Sequence, residues 1–163
     1  MSKELTNQLV IERYKFIQEK IHFLDKMLHT NISLIIKMII GIFTVILSIF
    51  LIHLKQPTLI HLDSITLSLK ISSILIGLIS LIFLLMTISN ILAWFDYRRD
   101  EVELLEQFSK EFKRAAPKAK NFFMWQETWF VITLLVLLIS IIFIYIFSSE
   151  IVINILSNIS TTL

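Results

Sequence analysis

The 163-residue chain has no cysteine, two glycines, two prolines and few charges: 17% of its residues are Asp, Glu, Lys or Arg, where average usage is about 25%. Without cysteine there is no disulfide framework, no redox pair and no thiolate metal site. Gly41 and Gly77 are the only glycines, so the glycine-rich loops that cradle nucleotides are missing, and no zinc motif is present. Basic and acidic residues balance to a net +2, too even for a nucleic-acid-binding protein. The composition is filled by apolar residues, 56% of the chain at a mean hydropathy of +0.79, and they gather in three long blocks. Such a chain is an all-α polytopic membrane protein, and its length allows one compact bundle.

Residues 32–53 carry one charge, Lys37, and at about 1.5 Å rise per residue they cross a hydrocarbon core of about 30 Å. Residues 71–95 and 128–147 have no formal charge and form the second and third spans. A cleavable signal peptide is not expected, because the first apolar block follows some thirty charged, helix-patterned residues and has no small-residue cleavage site behind it. Twelve basic residues flank the spans on one side (Lys3 to Lys26, and Arg98 to Lys120), against Lys55 and Lys70 on the other. The positive-inside asymmetry predicts a cytoplasmic N-terminus, three crossings of the membrane and a C-terminus outside. Trp94, Phe95, Trp125 and Trp129 fall at the cytoplasmic ends of spans two and three, the level that aromatic rings prefer.

Residues 1–31 place Val10, Tyr14, Ile17, Ile21, Leu24 and Leu28 at alternating steps of four and three, a coiled-coil period that predicts a cytoplasmic helix with an oligomerisation seam. Leu9, Phe16 and Phe23 broaden the seam, while Glu12, Lys15, Glu19, His22, Lys26 and His29 lie opposite. The alternative is an amphipathic helix on the inner leaflet, which the mixed charge of the polar face disfavours. In residues 96–127, early acids and late bases match a helix dipole, and Val102, Leu105, Phe108 and Phe112 make one apolar face. No Gly or Pro separates this stretch from span two, so one helix is expected to run on into the cytoplasm until Pro117. Lys110, Lys113, Arg114, Lys118 and Lys120, followed by Phe122, Phe123 and Trp125, are the candidate lipid contact. The outer loop, 54–70, alternates through Ile65, Thr66, Leu67, Ser68 and Leu69; it is either extended or an early helix start capped at Asp63 or Ser64. The tail, 148–163, extends span three or lies in the outer interface.

No catalytic constellation, cofactor motif or metal set emerges, and no enzymatic activity is expected. His22, Asp25 and His29, with Glu19 a turn earlier, share a helix face but read as its solvated side; His53, His61 and Asp63 read as loop and capping residues. Polar groups inside the spans are more informative, since each needs a partner in protein or water. Lys37, Gly41, Thr44 and Ser48 form a stripe after Ser33 on span one, Ser73, Gly77, Ser80 and Thr87 one on span two with Asn90 near its end, and Thr133 and Ser140 a third. Such stripes serve close helix packing or line a wet lumen in an oligomer. Lys37, about 9 Å into the membrane by helical rise, either snorkels to the headgroups or faces the interior or a lumen within reach of Asn90, Asp96 or Glu127.

The stretch Arg13-Tyr14-Lys15-Phe16-Ile17 before span one and the run Ala93-Trp94-Phe95-Asp96-Tyr97-Arg98-Arg99-Asp100-Glu101-Val102-Glu103-Leu104-Leu105 after span two look like small bacterial membrane proteins. Over about the first 115 residues the layout resembles SLATT-type effectors of bacterial conflict and antiphage systems; the third span is an addition to it. The resemblance implies a homo-oligomeric pore-forming or membrane-disrupting effector triggered by a partner. Phage holins share the small size and three spans, but not the long coiled-coil-like N-terminal helix. A non-conducting scaffold or accessory subunit that recruits a cytoplasmic protein is the other class left open.

Overall fold

The structure, a computed structural model, describes residues 3–108, 115, 123 and 125–160. It is helical throughout, with no strand among the described residues: α1 spans Lys3–Lys55, α2 Leu62–Phe108, α3 Gln126–Ile146 and α4 Ser148–Ser160. Three of these helices, α1, α2 and α3, are long and apolar enough to cross a membrane. Nothing interrupts α1 between its charged first half and its apolar second half. Proline is absent until Pro57, and in an apolar surrounding the backbone around Gly41 has no partner but its own helix. At about 1.5 Å per residue its 53 residues measure about 80 Å along the axis.

The end of α1 and the start of α2 are set by local hydrogen bonds. Gln56 N–H donates to the Ile52 carbonyl (2.8 Å), Leu59 N–H to Gln56 (3.0 Å), and His53 Nδ1 lies 2.6 Å from the Ile60 carbonyl, which it meets as a donor. The His61 carbonyl accepts from Ser64 N–H (3.0 Å) and Ile65 N–H (3.3 Å), opening α2 at Leu62. The expected loop of 54–70 is therefore only 56–61, and its alternating segment is helical. A strand would bury Ile65 and Leu67 alike; here Ile65 is 3% exposed and Leu67 57%. The Ser68 hydroxyl donates to the Ser64 carbonyl one turn back (2.8 Å). Helix α2 continues through Phe95 without a break, as the lack of Gly and Pro predicts. The tail is helical as well. Phe147 N–H bonds to the Phe143 carbonyl (3.0 Å) and Ile151 N–H to Phe147 (2.9 Å), so helical bonding carries past the turn into α4.

Instead of one bundle, the contacts divide the chain into two compact units, residues 1–32 with 85–131, and residues 33–84 with 132–163. In the first unit, α1 and α2 lie antiparallel: Arg13 meets Asp100, Gln18 meets Glu101, and Leu24 and Leu28 share a cleft with Asn90 and Trp94. Ile17, Ile21 and Leu104 form the buried core, with Val10, Tyr14, Trp94 and Tyr97 packed on it. The predicted seam is a packing face within the chain, where it meets the second helix. On α2, Trp94, Tyr97 and Leu104 pack against it; of the apolar face Val102, Leu105, Phe108 and Phe112, the first two are half-buried, Phe108 is exposed and Phe112 lies outside the described residues. Leu9, Phe16 and Phe23 also remain exposed. Ile21→Val should therefore lower unfolding stability by about 0.5–1.5 kcal/mol, whereas Phe23→Ala should change it by less than about 0.5 kcal/mol. Thermal unfolding of the detergent-solubilised chain, followed by circular dichroism, checks the contrast.

In the second unit, Ile65, Leu134, Ile141 and Val152 are buried, and the polar Ser73, Ser80 and Ser148 are buried with them. At Gly77 a Cβ would stand 3.7 Å from Ile141 Cγ2, in ordinary van der Waals contact. Helix α4 contributes Ile153, Leu156 and Ile159 to an open groove shared with His53, Leu54 and Leu62.

Candidate functional site

The first unit holds the main concentration of polar chemistry among the described residues. Glu101 is fully buried (0% exposed), yet it occupies a position on the α2 face that meets α1. Gln18 Nε2 donates to its Oε1 (2.7 Å), and Arg98 Nη1 donates to its Oε2 (2.7 Å). The guanidinium of Arg98 also lies over the Trp94 ring, 5.1 Å from the centroid. One arginine thus neutralises a buried carboxylate and covers an indole face, two tasks that suit a planar delocalised cation better than an ammonium. The Arg13–Asp100 pair at 3.4 Å is exposed on both sides and contributes little.

Beside this network is a cleft of about 130 Å³ lined by Leu24, Asp25, Leu28, Asn90, Ile91, Trp94, Arg98, Trp125 and Glu127. Trp94 and Trp125 stand 5.5 Å apart by ring centroid, and Phe95 lies 5.1 Å from Trp125. The Trp129 indole N–H donates to the Phe123 carbonyl (3.1 Å), tying the segment before α3 to its first turn. Asn90 Nδ2 is buried without a hydrogen-bond partner, as is Asn31 Nδ2 elsewhere in this unit. The sequence motifs did not reveal this cleft. Its one legible signal was the clustering of Trp94, Phe95 and Trp125, which reads equally well as a membrane-interface belt.

The three polar stripes have different fates. On α2, Ser73, Ser80 and Thr87 are buried and Gly77 is half-buried, so this stripe is a packing face. On α1, Lys37, Gly41, Thr44 and Ser48 are all exposed, and a Cβ at Gly41 would meet nothing within 4 Å. On α3, Thr133 and Ser140 are exposed. Hydroxyls on all three helices donate back to their own backbone: Thr44 to Ile40 (2.8 Å), Ser48 to Thr44 (2.8 Å), Ser73 to Leu69 (2.8 Å) and Ser140 to Val136 (2.9 Å). Lys37 has no hydrogen bond or ion pair among the described residues. His22, Asp25 and His29 are exposed, and the described residues contain no group of three or more His, Cys, Asp or Glu that could hold a metal ion. Lys110, Lys113, Arg114, Lys118 and Lys120 lie outside the described residues.

No protein-family model, curated protein or solved structure matches this chain. Its own residues carry the functional reading.

Proposed function

We propose that this chain is a non-enzymatic, self-assembling effector of the bacterial inner membrane, pore-forming or membrane-disrupting, of the kind used in defence systems. The observation that carries this reading is the exposed stripe Lys37, Gly41, Thr44 and Ser48 on α1. Only 6% of the most apolar window of α1 is buried, against 28% for α2. A helix so little covered, with its polar groups outward, is best satisfied when several copies turn that stripe toward a common axis. The hydroxyl oxygens then meet water at membrane depth without fixed charges, and Lys37 meets it with its ammonium. The positive-inside asymmetry supports a cytoplasmic position for the paired helices of the first unit. A second reading, a non-conducting scaffold for a cytoplasmic protein, draws on the exposed Leu9, Phe16 and Phe23.

The cysteine-free chain suits the decisive experiment, because Thr44→Cys and Ser48→Cys each introduce the only thiol. Thiol-directed sulfonate reagents attack the thiolate, a species that water supports and hydrocarbon does not. Both positions should react with a membrane-impermeant reagent in cells producing the protein, and a potential-sensitive dye should report depolarisation. Lys37→Leu should reduce the depolarisation severalfold, and Lys37→Arg should reduce it less. Unreactive thiols with an unchanged membrane potential would favour the scaffold.

A further inference from the structure

We infer that the cleft of the first unit binds an organic ammonium group. The argument starts from its charges. Arg98 is engaged by Glu101, so the remaining charged groups on the wall, Asp25 and Glu127, are both anionic and have no ion-pair partner among the described residues. A cation that enters the cleft would meet both carboxylates.

The rest of the wall selects which cation. Trp94 and Trp125, the residues with the strongest cation-binding ring type, flank the cleft, and the guanidinium seated 5.1 Å from the Trp94 centroid demonstrates that contact in this molecule. A hard metal ion needs several oxygen ligands at once, and the described residues offer no group of three or more acidic or imidazole side chains for one. An alkylammonium is served by fewer: carboxylates take its N–H groups and indole rings take its methylenes. The volume agrees, since an apolar cavity of about 150 Å³ accepts benzene, and this cleft of about 130 Å³ is sized for an ethanolamine or a small diamine. Asn90 adds a preference. Its buried Nδ2 lacks an acceptor, and an oxygen on the carbon next to the ammonium-bearing one supplies it. An ethanolamine group has that arrangement, either free or as the headgroup of a lipid.

The test uses the full chain in a non-ionic detergent, with its tryptophan fluorescence as the signal. Three probes are titrated: a short-chain phosphatidylethanolamine, the phosphatidylglycerol of the same chain length, and free ethanolamine. The phosphatidylethanolamine should shift the emission saturably, and the phosphatidylglycerol should not. Saturation by free ethanolamine as well identifies a soluble amine as sufficient; saturation by the lipid alone identifies a headgroup site. The double variant Asp25→Asn, Glu127→Gln should weaken binding by roughly tenfold or more, with circular dichroism unchanged because neither carboxylate is buried. Equal responses to the two lipids, no saturable response to any probe, or full affinity in the double variant would overturn the inference.

Discussion

Replacing Arg98 with Ala is expected to destabilise the chain by up to about 3–5 kcal/mol, the typical cost of breaking a buried ion pair. The guanidinium stands 2.7 Å from a Glu101 carboxylate that is completely shielded from solvent. Gln18 would still donate, but its neutral amide does not replace the charge that Arg98 contributes. The loss should be largely reversed in the double variant Arg98→Met, Glu101→Leu, because replacing a whole buried pair by apolar groups of similar size is close to neutral. Thermal and denaturant unfolding in detergent, arranged as a double-mutant cycle, reads the coupling directly. An Arg98→Ala variant as stable as the parent would mean that the carboxylate is held by something other than this pair.

The two glycines should separate folding from function. A Cβ at Gly77 makes ordinary contact with Ile141 Cγ2 at 3.7 Å, but the branched atoms beyond it in Gly77→Leu need further room and should cost about 1–3 kcal/mol by overpacking. At Gly41 nothing lies within 4 Å, so Gly41→Leu should leave unfolding unchanged or raise stability by up to about 1 kcal/mol through helix propensity. If the α1 stripe lines a conducting path, however, the same leucine occupies that path, and depolarisation should be abolished. A Gly41→Leu protein that depolarises cells as the parent does would remove span one from the path.

The helices were legible because their signals are local. Three apolar runs announce three candidate spans, and the lack of Gly and Pro after Phe95 announces the continuity of α2. The seam on α1 was equally legible, since Ile17, Ile21 and Leu28 repeat with helical period and all are buried. Its partner was not. Periodicity states that a face needs covering, without saying by what. The answering face on α2 was hidden by Glu101, which reads as an exposed acid in any pattern of apolar residues; the three-dimensional proximity of Gln18 and Arg98 contributes to making its burial tolerable. The start of α2 at Leu62 was open for a related reason, as the alternation from Ile65 to Leu69 fits a strand until backbone bonds are counted. The stripes looked alike in sequence and differ in burial, a distinction set by which helices happen to neighbour them.

The six residues between α1 and α2 also limit how the protein responds to its solvent. With Pro57 in the link and His53 bonded to the Ile60 carbonyl, the end of α1 and the beginning of α2 are held as a tight hairpin. In a bilayer thicker or thinner than its apolar length, the first span cannot slide like a piston past the second. Tilting the pair together relieves mismatch without breaking this link, and lipid chain length would then act on both spans at once.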